Sequence, residues 1–291
     1  MNEYSQETLC KVEQNDDTLF KLQIGGGGPY CDADFHSSVG DDYTRLGAAI
    51  GNNTHLTKLI VDLHDVNSLT VEDRGFYDGL KRNSSIVNLI LVGDNSNNNN
   101  TIIGGVLHEI LKVYQENSSH LTRISFSNCN LVNGGADAIA TTLRNCTNLK
   151  RIYLSYCGIT DEQLLPIVEG VRGHRTIEKL NLSGNRIGGD GCNTLATLLE
   201  DTSCTLQRLG LNNNEIQVGA ATTIANSLVK NKHLLQLYMY FNISIETIET
   251  RDAFSRTLCS TSSVNDTYLS NHTLTNIAGI SVQPGSDLES L

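Results

Sequence analysis

Several groups in this 291-residue chain could do chemistry, and each demands a different geometry. The run "IGGGGPYCDADFH", Ile24 to His36, places four glycines after an apolar stretch, as a phosphate cradle would. A phosphate-binding loop also needs Lys-Ser/Thr at the opening of the next helix, to bring an ammonium and a hydroxyl to the phosphates and their magnesium ion. Here the glycines lead to Pro29 and Tyr30, which favours a strand-to-helix loop. In the same run Cys31, Asp32, Asp34 and His36 are metal-ligand types, but no second cluster accompanies them to complete a site. "HEILK" at His108 lacks the second His that a zinc-protease helix carries one turn later. Cys129 and Cys157 invite a redox reading that depends on how the chain brings them together. His55, His120 and His233 each directly precede a Leu, and three copies of one local setting argue for a turn role over three active sites. The chain is therefore expected to be non-catalytic, without metal or cofactor.

What would position such residues is visible between Ile177 and Ile187, "IEKLNLSGNRI". The same offsets recur from Leu121, Leu149, Ile177 and Leu206, at spacings of 28, 28 and 29 residues. At plus three stand Ile124, Ile152, Leu180 and Leu209; at plus five Phe126, Leu154, Leu182 and Leu211; at plus ten Leu131, Ile159, Ile187 and Ile216. Plus eighteen gives Ile139, Ile167, Leu195 and Ile224, and plus twenty-two gives Leu143, Val171, Leu199 and Leu228. Plus three and plus five share one face of a short strand, since alternate strand side chains point the same way. Plus eighteen and plus twenty-two are four apart, one face of a helix. At plus eight come Cys129, Cys157, Asn185 and Asn214, with Asn242 in the next copy. There the chain leaves the strand, and a short polar side chain can serve backbone groups buried in the turn. Two cysteines one repeat apart would stand roughly 5 Å from each other, which suits two hydrogen-bonded turn residues better than a redox pair.

The pattern L-x-x-L-x-L-x-x-N/C-x-L resembles the leucine-rich repeat, and its 28–29 residue period with a helical second half resembles the ribonuclease-inhibitor-like class. The resemblance implies an α/β curved solenoid, with a parallel β-sheet on the concave face and helices on the convex face. It further implies a non-catalytic scaffold that binds a protein partner on the concave face. The Ran GTPase-activating proteins are similar in repeat type, so a regulator of a small GTPase is the alternative, with the sensing segment of a larger receptor as a third reading. No residue maps onto GTPase activation.

The array extends in both directions. "LTKLIV" from Leu56 and "IVNLIL" from Ile86 read as strands, and "GDNSNNNNT" reads as a solvated insertion before the Leu121 copy. "LFKLQI" from Leu19 opens the array, with "YTRLGAAIGNN" as its helix; "LLQLYM" from Leu234 and "VNDTYL" from Val264 continue it. About nine strands then occupy residues 19–280, between an N-terminal flank or cap at 1–18 and a tail at 281–291. That tail is short for a cap, so the rear edge is expected to be shielded by a partner or continued by further repeats, the latter being favoured. A repeat array needs no single central core, which suits a chain with no Trp and 5% aromatic residues. The net charge of −11 argues against nucleic acid, whose phosphates demand a basic face. No apolar run reaches the roughly 18 residues of a membrane span. The opening "MNEYSQETLC" does not read as a secretory signal. Two of the eight cysteines hold repeat turn positions, so reduced thiols and a cytoplasmic, or alternatively nuclear, location are expected.

With plus three and plus five inward, plus two, four and six face outward from the sheet. Plus two reads Lys58, Asn88, Arg123, Arg151, Lys179, Arg208, Gln236 and Asp266, five of them basic in an acidic chain. Plus four and plus six contribute Tyr153, Tyr238, Tyr268 and Tyr240, and Tyr156 and Phe241 follow at strand exits. Stacked like charges cost stability, whereas Tyr and Arg dominate binding hot spots. Arg123, Arg151, Tyr153, Tyr156, Lys179, Arg208, Tyr238, Tyr240 and Tyr268 are therefore the candidate partner-binding residues, for a partner with an acidic surface.

Overall fold

Strand residues that alternate between core and surface need only a short pleated run and a turn to return the chain to a helix. That unit is what the computed structural model shows, repeatedly. It describes residues 2–25, 33–38, 40–64, 66, 69–93, 101–116, 120–131, 134–243, 245–258 and 270–280. The chain divides into two compact units, Met1–Tyr153 and Leu154–Leu291.

In the first unit, helix α1 (Glu3–Glu13) precedes β1 (Lys21–Ile24), β2 (Asp34–Phe35), α2 (Gly40–Asn52), β3 (Lys58–Asp62), α3 (Arg74–Arg82) and β4 (Asn88–Val92). Then come α4 (Thr101–Glu116), β5 (Arg123–Ser127), α5 (Gly135–Asn145) and β6 (Arg151–Ser155), whose last two residues fall in the second unit. The strands β2, β1, β3, β4 and β5 lie side by side in that order, all parallel. In register, Lys21, Lys58, Asn88 and Arg123 align, as do Gln23, Ile60, Ile90 and Ser125. Strands β3, β4 and β5 alternate buried and half-buried residues without a break, so Leu59, Val61, Leu89, Leu91, Ile124 and Phe126 form the core. Helices α2 and α3 approach backbone to backbone: a Cβ at Gly79 would collide with the carbonyl of Gly47, and one at Gly47 with the Cα of Phe76.

The N-terminal flank contains α1, capped by Asn2, whose side chain accepts from Ser5 N. Its buried Leu9 and Val12 pack it against the start of the array, and Asn53 Nδ2 donates to Val12 O. The two-residue β2 has no counterpart in the sequence reading. It pairs Asp34 with Gln23, placing part of the candidate metal run on a sheet edge.

The second unit carries α6 (Asp161–Val171), β7 (Lys179–Asn181), α7 (Gly189–Glu200), β8 (Arg208–Gly210), α8 (Val218–Ser227), β9 (Gln236–Tyr238), α9 (Ile248–Leu258) and β10 (Asn276–Ala278). Here β7, β8, β9 and β10 run parallel in chain order. Thr160 caps α6 through a capping box with Gln163, closing two orphan donors. Both units have the α/β repeat architecture that the periodicity implies.

The strand read at "VNDTYL" from Val264 lies outside the described residues. The neighbour of β9 is Asn276–Ala278, with Asn276 beside Gln236 and Ala278 beside Tyr238. Leu274 and Ile277 are two aliphatics three apart, the spacing that opens the other strands. The Asn-rich insertion at 94–100, residues 26–28 of the glycine run with Cys31 and Asp32, and the tail from 281 lie outside the described residues. Among the described residues, no helix is long and apolar enough to cross a membrane.

Candidate functional site

Strand register decides which outward residues stand together. In the first unit Lys21 and Lys58 are direct neighbours and Arg123 lies beyond Asn88 in the same column, about 5 Å per strand. Lys21 was not part of the sequence-derived column, which began at Lys58. Arg151 N donates to Thr122 O, the same step that opens the preceding strands, and its side chain is exposed. The Arg123 guanidinium sits over the ring of Tyr153, 4.4 Å from its centre. Such a cation–π contact contributes about 0.5–1 kcal/mol at a partly exposed site and holds both groups in one orientation.

In the second unit Lys179 and Arg208 are direct neighbours, followed by Gln236 and Asn276. The plus-four column there reads Asn181, Gly210, Tyr238 and Ala278. Tyr238 is half-buried and its hydroxyl donates to Gln236 Oε1 at 3.0 Å. The place beside Tyr238 therefore belongs to Ala278, and Tyr268, assigned to it from the sequence, lies outside the described residues. Tyr156 and Tyr240 are both exposed.

The turn positions form a hydrogen-bond ladder. Asn185 Nδ2 donates to Leu154 O at 2.7 Å and Leu182 O at 2.8 Å, while its Oδ1 accepts from Cys157 N at 3.0 Å and Ile159 N at 3.1 Å. Asn214 repeats this, donating to Leu182 O and Leu211 O and accepting from Ile187 N. Asn242 donates to Leu211 O and Met239 O and accepts from Asn214 N and Ile216 N. One carboxamide thus closes four backbone groups and ties a turn to the repeat before it. The thiols do less: Cys157 Sγ donates to Ser155 O, and Cys129 Sγ contacts Ser127 O and Leu91 O.

The Leucine Rich repeat family model matches residues 117–140, 145–167 and 173–196, each running from before a strand into the helix after it. A ribonuclease inhibitor from Sus scrofa is 24% identical over 194 residues, 66% of this chain and 41% of that protein. The chain carries leucine-rich repeats, and they are similar to those of the ribonuclease-inhibitor-like class. It is also similar to the leucine-rich repeat-containing protein 41 of Mus musculus, 32% identical over 41% of this chain and 15% of that protein. The NACHT, LRR and PYD domains-containing protein 5 of Bos taurus is 27% identical over 43% of this chain and 12% of that protein. The leucine-rich repeat chain thus spans less than half the length of each of these relatives.

Sequence reasoning missed a second ladder in this repeat protein. Asn53, Asn83, Asn231 and Asn271 each stand three residues before a strand-opening aliphatic and accept from two backbone N–H groups there. Each also donates back to the preceding repeat, as Asn83 does to Ile50 O and Asn53 O. The histidines at 55 and 233 owe their shared position to this turn: their backbone N–H groups donate to Asn53 and Asn231. The signal was present as N-x-x-[L/I], Asn271-x-x-Leu274 included. Also missed was the backbone at plus seven. Asn128, Tyr156, Gly184, Asn213 and Phe241 all have φ between +54° and +74°.

The catalytic candidates gain little. Asp34 has one buried carboxylate oxygen without a partner, and burial pushes its carboxyl up. His36 contributes its backbone N–H to Ser5 Oγ. Among the described residues no group of three or more His, Cys, Asp or Glu is placed to hold a metal ion.

Proposed function

We propose that this leucine-rich repeat protein is a non-catalytic interaction scaffold whose exposed sheet face binds an acidic surface on a protein partner. The observation that carries the reading is the register of like charges: Lys21 beside Lys58, and Lys179 beside Arg208, in a chain of net charge −11. Neighbouring like charges are unfavourable by up to about 1 kcal/mol per pair. A negatively charged surface would turn that repulsion into attraction and speed encounter. Tyr153 under Arg123 in the first unit, and Tyr238 one strand from Arg208 in the second, add large, rigid contact area. Buried thiols at turn positions favour a reducing compartment, the cytoplasm or nucleus.

The test is affinity capture followed by binding kinetics with variants. Tyr153→Ala and Tyr238→Ala should each weaken the captured partner by roughly 2 kcal/mol as hot spots. Arg151→Ala and Lys179→Ala should slow association and flatten its dependence on salt, since a Debye length of about 8 Å screens steering but not burial. Wild-type affinity and kinetics in all four folded variants would refute the assignment. A second reading, the sensing segment of a larger receptor, draws support from the similarity to NACHT, LRR and PYD proteins.

A further inference from the structure

Position plus seven of the repeat is held in the left-handed region at five successive strand exits, and three of its occupants suit it. Asn128, Gly184 and Asn213 adopt φ of +55°, +74° and +54° at little cost. Phe241, at φ +59°, has no such excuse: a bulky aromatic residue there is an outlier. Tyr156 shares the conformation but lays its ring against Gly184, where a Cβ would collide with it. Among the described residues Phe241 has no comparable seat. It is 85% exposed, and its one ring neighbour among the described residues, Tyr240, is itself 47% exposed at 6.1 Å and 41°. The turn that follows continues the exposure, with Ile243 at 50% and Ile248 at 76%. Four large apolar side chains thus face solvent within nine residues, one of them on a backbone it disfavours. Strain of this kind, with no packing among the described residues to offset it, points to use by a partner.

The charge around the patch names the chemistry. From Tyr240 to Thr250 the sequence carries Glu246 and Glu249, both exposed, and no Lys or Arg; Arg251 beyond is offset by Asp252. We infer that Tyr240, Phe241, Ile243 and Ile248, flanked by Glu246 and Glu249, form a docking surface for a cationic segment of a partner protein that presents a large apolar side chain. Its charge preference is opposite to that proposed for the sheet face, so the two sites select different ligands. Anionic lipid would be repelled by the same two carboxylates.

Fluorescence anisotropy with three labelled peptides tests this on the full chain: a short Lys-rich peptide with a central Trp, the same with Ser for Trp, and the same with Glu for Lys. The first should bind, and the other two should bind at least about tenfold more weakly. Phe241→Asn supplies the residue that holds this position at 128 and 213, so it keeps the turn while removing the ring. It should weaken the first peptide by about tenfold or more, with the melting temperature unchanged or higher. Glu246→Gln with Glu249→Gln should lower the salt dependence of that binding. Arg151→Ala and Lys179→Ala should leave it unchanged, which separates this site from the sheet face. Binding of the Lys-Trp peptide that survives Phe241→Asn within twofold overturns the inference, as does failure of that peptide to bind. So does concentration-dependent self-association, or adsorption to phosphatidylserine vesicles, that Phe241→Asn abolishes.

Discussion

Asn185→Ala isolates what one carboxamide contributes to a repeat. The side chain serves two buried donors, Cys157 N and Ile159 N, and two acceptors, Leu154 O and Leu182 O. Leu182 O keeps a partner in Asn214 Nδ2 at 3.1 Å, so the two N–H groups set the scale of the loss. A buried donor left unsatisfied costs about 1–3 kcal/mol. A water entering the vacated polar space returns part of that, so a net loss of about 3 kcal/mol is expected. On a unit of this size the melting temperature should fall by roughly 6–12 °C. Urea unfolding followed by far-ultraviolet circular dichroism measures it, with an unchanged m-value required because repeats can lose cooperativity. Asn185→Cys is the calibrating variant, since Cys157 holds the equivalent turn in the preceding repeat. A thiol donates weakly and accepts poorly, so it should recover about half of the loss. An unshifted midpoint in Asn185→Ala would refute the hydrogen-bond accounting. A cysteine variant as unstable as the alanine variant would show that the two residue types are not equivalent at this turn.

Three further outcomes follow from single contacts. Gly184→Ala should destabilise by about 1–3 kcal/mol, because it places a Cβ into the Tyr156 ring on a left-handed backbone at φ +74°; pairing it with Tyr156→Ala should recover part of this in a thermal melt. Burial, with Asp161 nearby, pushes the Cys192 thiol up to about 12, so iodoacetamide near neutral pH should label exposed Cys10 in the folded protein and Cys192 only after denaturation, as peptide mass mapping would show. Burial also holds His120 below its ordinary 6.5, so the folded state binds fewer protons than the unfolded one. That contribution is fully present above 6.5 and is lost as pH falls beneath it toward the folded value; His120→Gln should flatten the decline in melting temperature over that window.

How far the sequence could be read depends on which physical constraint each feature obeys. Leu180 and Leu182 declare a strand, and Leu195 and Leu199 a helix, because burial enforces spacing and spacing survives in a string of letters. The same holds for Asn185, which recurs at a fixed offset because buried carbonyls and amides recur there. The Asn53 ladder obeys an equal constraint, yet its column is broken by Cys146 and Ser203, so the pattern dissolves into general asparagine richness. Strand β10 escaped for a related reason: an insertion moved Leu274 out of phase, and the period then pointed to Val264. Charge columns were legible as soon as the strand face was known, which is why Lys179 and Arg208 could be paired in advance.

Backbone conformation was the illegible part. Nothing in the letters around Phe241 distinguishes an aromatic that extends a strand from one held at positive φ, because hydrophobic periodicity reports direction and burial but not handedness. The repeat itself supplies the missing information once the copies are aligned on their turns. Asn128, Gly184 and Asn213 are the residues that take a left-handed backbone most cheaply, and they share a column with Tyr156 and Phe241. A column that reads Asn, Tyr, Gly, Asn, Phe is therefore a statement about φ in three copies and an exception in two. In one exception the ring is seated on a glycine of the next repeat, so the local cost has a local compensation. In the other the ring stands in solvent among three further exposed apolar side chains, and that difference is what the inferred docking surface rests on.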